Sequence, residues 1–179
     1  MIKYKNELIK SVNLLADKGY IFIGQSVLWE GTSMYEMIKH LPQAQKIELP
    51  VTEELQMGMS AGMALENIKV CSIYPRLDFL IVAMNQLVNH LDKIRIMSDN
   101  QFKLKGLIIK TAIGSIKPLF PGEQHSGDYT EGIKNMCKEI KIVKLDSIKK
   151  IIPSYQEAVE SEVPTILIEI PDLYETDIT

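Results

Sequence analysis

Cysteine, arginine and histidine are scarce in this chain, and no apolar run is long. Its two cysteines, Cys71 and Cys137, are too few for a disulfide framework, so a cytoplasmic protein is expected. The three histidines, His40, His90 and His125, are scattered without ligand spacing, and no metal site is expected within the chain. A net charge of -3 and a pI near 5.7 lack the basic footprint of a nucleic-acid binder. No stretch approaches the roughly 18 apolar residues that cross a membrane, and Met1-Ile2-Lys3-Tyr4-Lys5 leads into no signal-peptide core. With 179 residues, 46% hydrophobic and 24% charged, the chain suits one globular domain, expected over 1–171, with 172–179 a short acidic tail. No internal repeat, low-complexity segment or linker divides it.

What is present is alternation. Short apolar runs over 20–24, 46–49, 70–73, 107–112, 140–145 and 165–170 predict six strands. Between them lie helical patterns over 6–18, 34–40, 53–66 and 77–91, a helix capped by Asp128 and running to Met136, and one capped by Ser147 and running to about Glu160. Strand and helix alternating in this way imply a three-layer α/β/α fold around a six-stranded, mainly parallel sheet. Ligand chemistry in such sheets collects at the carboxyl ends of the strands, and Glu53, Phe79 and His125 all lie just past expected strand ends.

The most informative stretch is Leu49-Pro50-Val51-Thr52-Glu53-Glu54, followed by the nearly apolar run from Leu55 to Leu65. It reads as a strand end, a rigid turn, and a helix with Thr52 as N-cap and Glu53 in the first turn. From Leu55 on, Gln56 is the one strongly polar side chain, so burial on most sides is expected. Gly58 and Gly62, four apart, leave two bare patches on one face where another helix can approach.

Pro50-Val51-Thr52-Glu53 with Gly58 and Gly62 resembles the pyrimidine-binding (PYR) motif of thiamine diphosphate enzymes. The likeness is to the transketolases and to the beta subunits of 2-oxoacid dehydrogenases. Tyr74-Pro75-Arg76-Leu77-Asp78-Phe79 is similar to that family's aromatic loop, the helix around Asn85 and Asn89 to the helix that follows it, and Gln124-His125-Ser126 to its histidine loop. Together these run in the family's order from about Phe22 to Ile170.

The resemblance implies a PYR-type fold and a set of roles. Glu53 would hydrogen-bond the aminopyrimidine ring nitrogen and so activate the cofactor for C2 carbanion chemistry. A carboxyl in a dry pocket can share a proton with such a ring. Val51 would prop the cofactor in its bent shape, Pro75 would flank it, and Phe79 would stack on the pyrimidine. His125 would contact the substrate, with Gln124 beside it. Arg76 stands where the family usually has a small polar or aromatic residue, so the resemblance gives it no role; by its own chemistry it either pairs with Asp78 or places its guanidinium on a carboxylate or phosphate of the substrate. Glu54, about 100° round the helix, is left as a surface or interface acid.

The family's Gly-Asp-Gly segment with a later Asn, which holds magnesium and the diphosphate, is missing; Gly127-Asp128-Tyr129 breaks that pattern. A diphosphate-binding (PP-domain) partner subunit is therefore expected to bring Mg2+ and the other half of the site, most simply in an α2β2 heterotetramer with the Gly58/Gly62 helices near the axis. The substrate would be a 2-oxoacid or a ketose-type molecule, and the reaction transfer, decarboxylation or carboligation. A beta-type dehydrogenase subunit and a non-catalytic subunit of the same fold stand as alternatives.

Overall fold

In the computed structural model, which describes residues 3–117 and 119–177, all six strands run parallel in one sheet. They are β1 (Ile21–Gly24), β2 (Lys46–Glu48), β3 (Val70–Ile73), β4 (Ile108–Ala112), β5 (Lys141–Lys144) and β6 (Thr165–Glu169), in the order β2-β1-β3-β4-β6-β5. The four inner strands are almost wholly buried because helices cover both faces. The chain leaves β1 towards β2 and then crosses back to β3, so the β1/β3 boundary is a topological switch point.

Alternation along the strands sorts the core into two halves. Phe22, Cys71, Ile73, Ile108 and Leu167 face α1 (Tyr4–Asp17), α2 (Ser33–Ile38) and, further on, α7 (Ile148–Glu160). Ile23, Val70, Ile109 and Ile166 face α3 (Glu53–Leu65) and the helical segments that begin with α4 (Leu77–Leu80) and α5 (Ile94–Met97), together with α6 (Thr130–Met136). Tyr4, Leu8, Val12 and Leu15 form the buried stripe of α1, spaced as the helical period requires.

A charged pair lies in this core. Lys110 on β4 and Glu169 on β6 form an ion pair with both side chains fully buried. Tyr174 donates to Glu169 Oε2 at 2.8 Å and Tyr155 to Oε1 at 3.4 Å, while Met34 Sδ lies 2.9 Å from Lys110 Nζ. Burial, and after it the negative charge of Glu169, pushes the Tyr155 and Tyr174 hydroxyls well above their ordinary value, which keeps them protonated as donors.

The structure departs from the sequence expectations in several places. The helix expected over 77–91 is α4, a 3-10 turn at Ile81–Ala83 and a π-helical turn at Gln86–Leu91. The wide turn keeps both Leu87 and Leu91 in the core and places Asp92, whose Oδ1 accepts from the N–H groups of Lys138, Glu139 and Ile140. Residues 172–177, expected as a tail, fold back: Tyr174 is buried, and Lys3 bridges to Asp177. Thr52 occupies the N-cap of α3, but its hydroxyl donates to the Pro50 carbonyl instead of accepting from the helix. Asp128, expected as the N-cap, stands one residue before it: α6 begins at Thr130 with Tyr129 at the N-cap, and Asp128 accepts from the Thr130 N–H and hydroxyl. Pro118, expected in the long loop after β4, and Ile178 and Thr179 of the tail lie outside the described residues. Among the described residues no helix is long and apolar enough to cross a membrane.

Two measurements check this core. Glu169→Leu should lower stability by about 3–5 kcal/mol in urea unfolding, because it strands a buried ammonium, and Lys110→Met combined with Glu169→Leu should recover most of the loss. Burial also pushes the Cys71 thiol up to about 12 and Cys137 up to about 11. Neither should react with a thiol-specific disulfide reagent near pH 8 in the folded protein, and both should react once it is unfolded.

Candidate active site

The switch point between β1 and β3 is built to be close-packed and polar. Gly24 ends β1 with φ +149°, and a Cβ there would stand 2.2 Å from the Ile73 carbonyl oxygen and 2.9 Å from Gln56 Nε2. Into this crevice α3 turns its polar side. Gln56 Nε2 donates to the Ile73 carbonyl (2.9 Å) and to Ser72 Oγ (3.1 Å), and Ser60 Oγ donates to the Gln56 carbonyl (2.8 Å) and lies 2.9 Å from Ser72 Oγ.

Glu53 lies on that same inward face, one turn before Gln56, and is only 6% exposed. Its Oε1 accepts from Gln25 Nε2 at 3.0 Å, and its backbone carbonyl accepts from the Tyr74 hydroxyl at 3.0 Å. Gln25 is aimed by the loop that follows β1, and that loop is pinned by Glu48 at the end of β2. The two Glu48 carboxylate oxygens accept from the N–H groups of Ser26 (2.7 Å), Val27 (2.7 Å) and Leu28 (2.8 Å). Ser26 takes the positive φ (57°) that lets consecutive N–H groups converge on one anion.

A second pair forms at the same carboxyl edge of the sheet. The rings of Phe79, from the loop and helix after β3, and His125, from the loop after β4, meet edge to face with centroids 5.3 Å apart. Asp78 holds the two segments together, its Oδ1 accepting from Gly127 N–H at 3.1 Å. Gly114 permits the contact, since a Cβ there would fall 2.0 Å from Ser126 Cα.

The remaining sequence candidates are dispersed. Val51 is 75% exposed on the turn before α3, and Gln124 is exposed. Pro75 and Arg76 line a cleft of about 670 Å³ whose lining does not include Glu53, Phe79 or His125. Asp78 is engaged with Gly127, and Arg76 makes no ion pair among the described residues, so the Arg76–Asp78 pairing, one of the two readings of Arg76, is absent. His40 bonds Asn13 and His90 bonds Gln86, each at 2.6 Å. Glu54 is exposed and accepts from Asn85 at 2.8 Å. Asp128 pairs with Lys144.

Helix α3 is not buried on most sides. Glu53, Gln56, Met57, Ser60 and Ala64 face inward, while Leu55 (56% exposed), Met59 and Leu65 face out, Gly62 has open space beyond its Cα, and Val82 nearby is 60% exposed. The helix thus sends Glu53, Gln56 and Ser60 to the sheet beside Met57 and Ala64, and leaves several apolar side chains at the surface. Sequence reasoning missed Gln25, Glu48, Gln56 and Asp78. The one signal available was polar side chains at 53, 56 and 60, which share a helical face.

The fold and crevice define a class: an all-parallel three-layer α/β/α domain with a buried carboxyl at its first switch point. Among solved structures the chain is similar to one described as a split-gene transketolase in an inactive β4 tetramer, with a TM-score of 0.71 and 11% sequence identity. The match covers 99% of this chain and 53% of that one, so the chain spans about half the length of its structural relative, and the likeness is one of fold. No protein-family model matches the sequence. No curated protein sequence matches it.

Gly24→Ala should lower stability by at least about 3 kcal/mol, since the Ile73 carbonyl has no room to retreat within the sheet. Glu48→Ala should lower it by about 2 kcal/mol by orphaning the N–H groups of the 26–28 loop. Both are read from urea midpoints, with amide exchange at Ser26 to Leu28 rising in Glu48→Ala.

Proposed function

We propose that the chain is the pyrimidine-binding subunit of a two-subunit, transketolase-like thiamine diphosphate enzyme, active only with a partner subunit. The observation that carries this reading is Glu53: nearly buried at the switch point, with no cation paired to it among the described residues and with its one side-chain hydrogen bond, from Gln25, on Oε1. Such a carboxyl suits a ring nitrogen with which it can share a proton. The fold likeness supports the same reading.

The residues present fit the cofactor's pyrimidine half. Glu53 offers Oε2, which no other group engages among the described residues, while Gln25 holds Oε1 and fixes the side chain's direction. Val51 presents a branched apolar side chain at 75% exposure, which a cofactor propped against it would cover. Phe79 offers a ring for stacking, Pro75 stands in the same loop, and His125, backed by Phe79, can orient the substrate with Gln124 beside it. When bound, thiamine diphosphate supplies the carbon nucleophile that makes and breaks bonds at a carbonyl carbon. The substrate is a 2-oxoacid or a ketose-type molecule, and Mg2+ and the diphosphate belong to a PP-domain partner.

The outward apolar face of α3 supports an assembly in which that face is covered, and an α2β2 heterotetramer is the simplest. A structural relative described as an inactive β4 tetramer supports a chain of this fold associating with its own copies.

Affinity capture of the chain from its source should recover a partner that contains Gly-Asp-Gly and a later Asn. The reconstituted pair should turn over with thiamine diphosphate and magnesium. In that pair Glu53→Gln should keep assembly and cut turnover by about 100-fold or more; unchanged turnover would sink the role given to Glu53. Leu55→Asp should dissociate the assembly in size-exclusion chromatography and leave the fold intact.

A further inference from the structure

The cleft that Arg76 lines lies at the carboxyl ends of β3, β4 and β6, where open parallel sheets bind ligands. Its volume, about 670 Å³, falls in the range of small-molecule sites, and its lining is mostly apolar, with three prolines and Leu119. The cleft is bounded by fixed chain. Asp172 Oδ1 accepts from the N–H groups of Ile116 (2.8 Å) and Lys117 (3.0 Å), clasping the β4 loop to the segment after β6. Tyr174 forms one wall and is anchored from behind by its 2.8 Å bond to Glu169 of the buried ion pair.

Charge in this cleft is unbalanced in a specific way. Its two acids are spent: Asp172 on those backbone N–H groups, and Glu175 on Lys3 at 3.0 Å. Its three cations, Lys5, Arg76 and Lys117, come from three separate segments and make no ion pair among the described residues. Engaged acids, free cations and an apolar wall suit a molecule with an anionic group on an apolar body.

We propose that this cleft is a binding site for a small organic anion, a phosphate or carboxylate on an apolar skeleton, with Arg76, Lys5 and Lys117 meeting the charge and Tyr174 and the prolines meeting the skeleton. The site is separate from Glu53, and the inference stands whether or not the chain serves a thiamine enzyme. The test titrates the full chain with phenyl phosphate at low ionic strength by calorimetry, with inorganic phosphate and phenol as the anion-only and apolar-only controls. Phenyl phosphate should bind saturably and more tightly than either control. Arg76→Gln should weaken it about tenfold, Lys117→Gln should weaken it further, and Lys149→Gln, a change at an exposed lysine outside the cleft, should not. Amide shifts on binding should gather at 31–33, 76 and 172–175. No saturable binding, or binding indifferent to Arg76 and Lys117, overturns the proposal. Shifts centred on Glu53 and Phe79 also overturn it, because they put the anion in the other site.

Discussion

Two opposite charges shut away from water, Lys110 and Glu169, join the inner strands β4 and β6, and much of the carboxyl edge of the sheet is referred to them. Desolvating both ions is costly, and their attraction repays it only where further hydrogen bonds fill the carboxylate's remaining positions. Tyr155 from α7 and Tyr174 from the segment after β6 do so, and Tyr174 in turn stacks on Tyr4 of α1, with ring centroids 6.0 Å apart. Tyr4 carries the connection on to the Leu145 carbonyl at 2.6 Å. The pair thereby couples a central strand, its neighbour, two helices and the end of the described chain. The wall of the cleft and the start of the loop that carries His125 both sit on this frame.

A second constraint lies across the sheet in α3. A helix that sends Glu53, Gln56 and Ser60 inward needs partners for them, and the Ile73 carbonyl, Ser72 and Gln25 supply these for Gln56 Nε2, Ser60 Oγ and Glu53 Oε1, while Gln56 Oε1 has none among the described residues. The apolar residues displaced to the outside, Leu55 and Met59 with Val82 beside them, then form a surface whose burial would be favourable at roughly 25 cal/mol per Å². A carboxyl held at the switch point and an uncovered apolar helix face are therefore two results of one choice of rotation about the helix axis. That rotation ties the carboxyl held in the crevice to the apolar surface left outside.

Much of this was legible in the residues. The alternation of apolar runs with helical patterns specified six strands and an α/β/α sandwich, because buried parallel strands need apolar side chains on both faces. The proline turn and the acid that opens α3 marked Glu53 as a candidate just past a strand end. Lys110 within Leu-Ile-Ile-Lys-Thr-Ala and Glu169 within Thr-Ile-Leu-Ile-Glu-Ile were visible as lone opposite charges in inner strands, a signal that pairing would have explained.

The sequence by itself determined the elements, their order and the residue types at the strand ends, because these follow from local periodicity and turn chemistry. Tertiary structure alone decided which of those residues meet. The contacts of Gln25 with Glu53, Glu48 with the 26–28 loop, Asp78 with Gly127 and Lys110 with Glu169 all depend on the spatial order β2-β1-β3-β4-β6-β5 and on the rotation of α3. Neither quantity is carried by a period of 2 or 3.6 along the chain, since periodicity records which face is apolar and is silent on which neighbour that face will find.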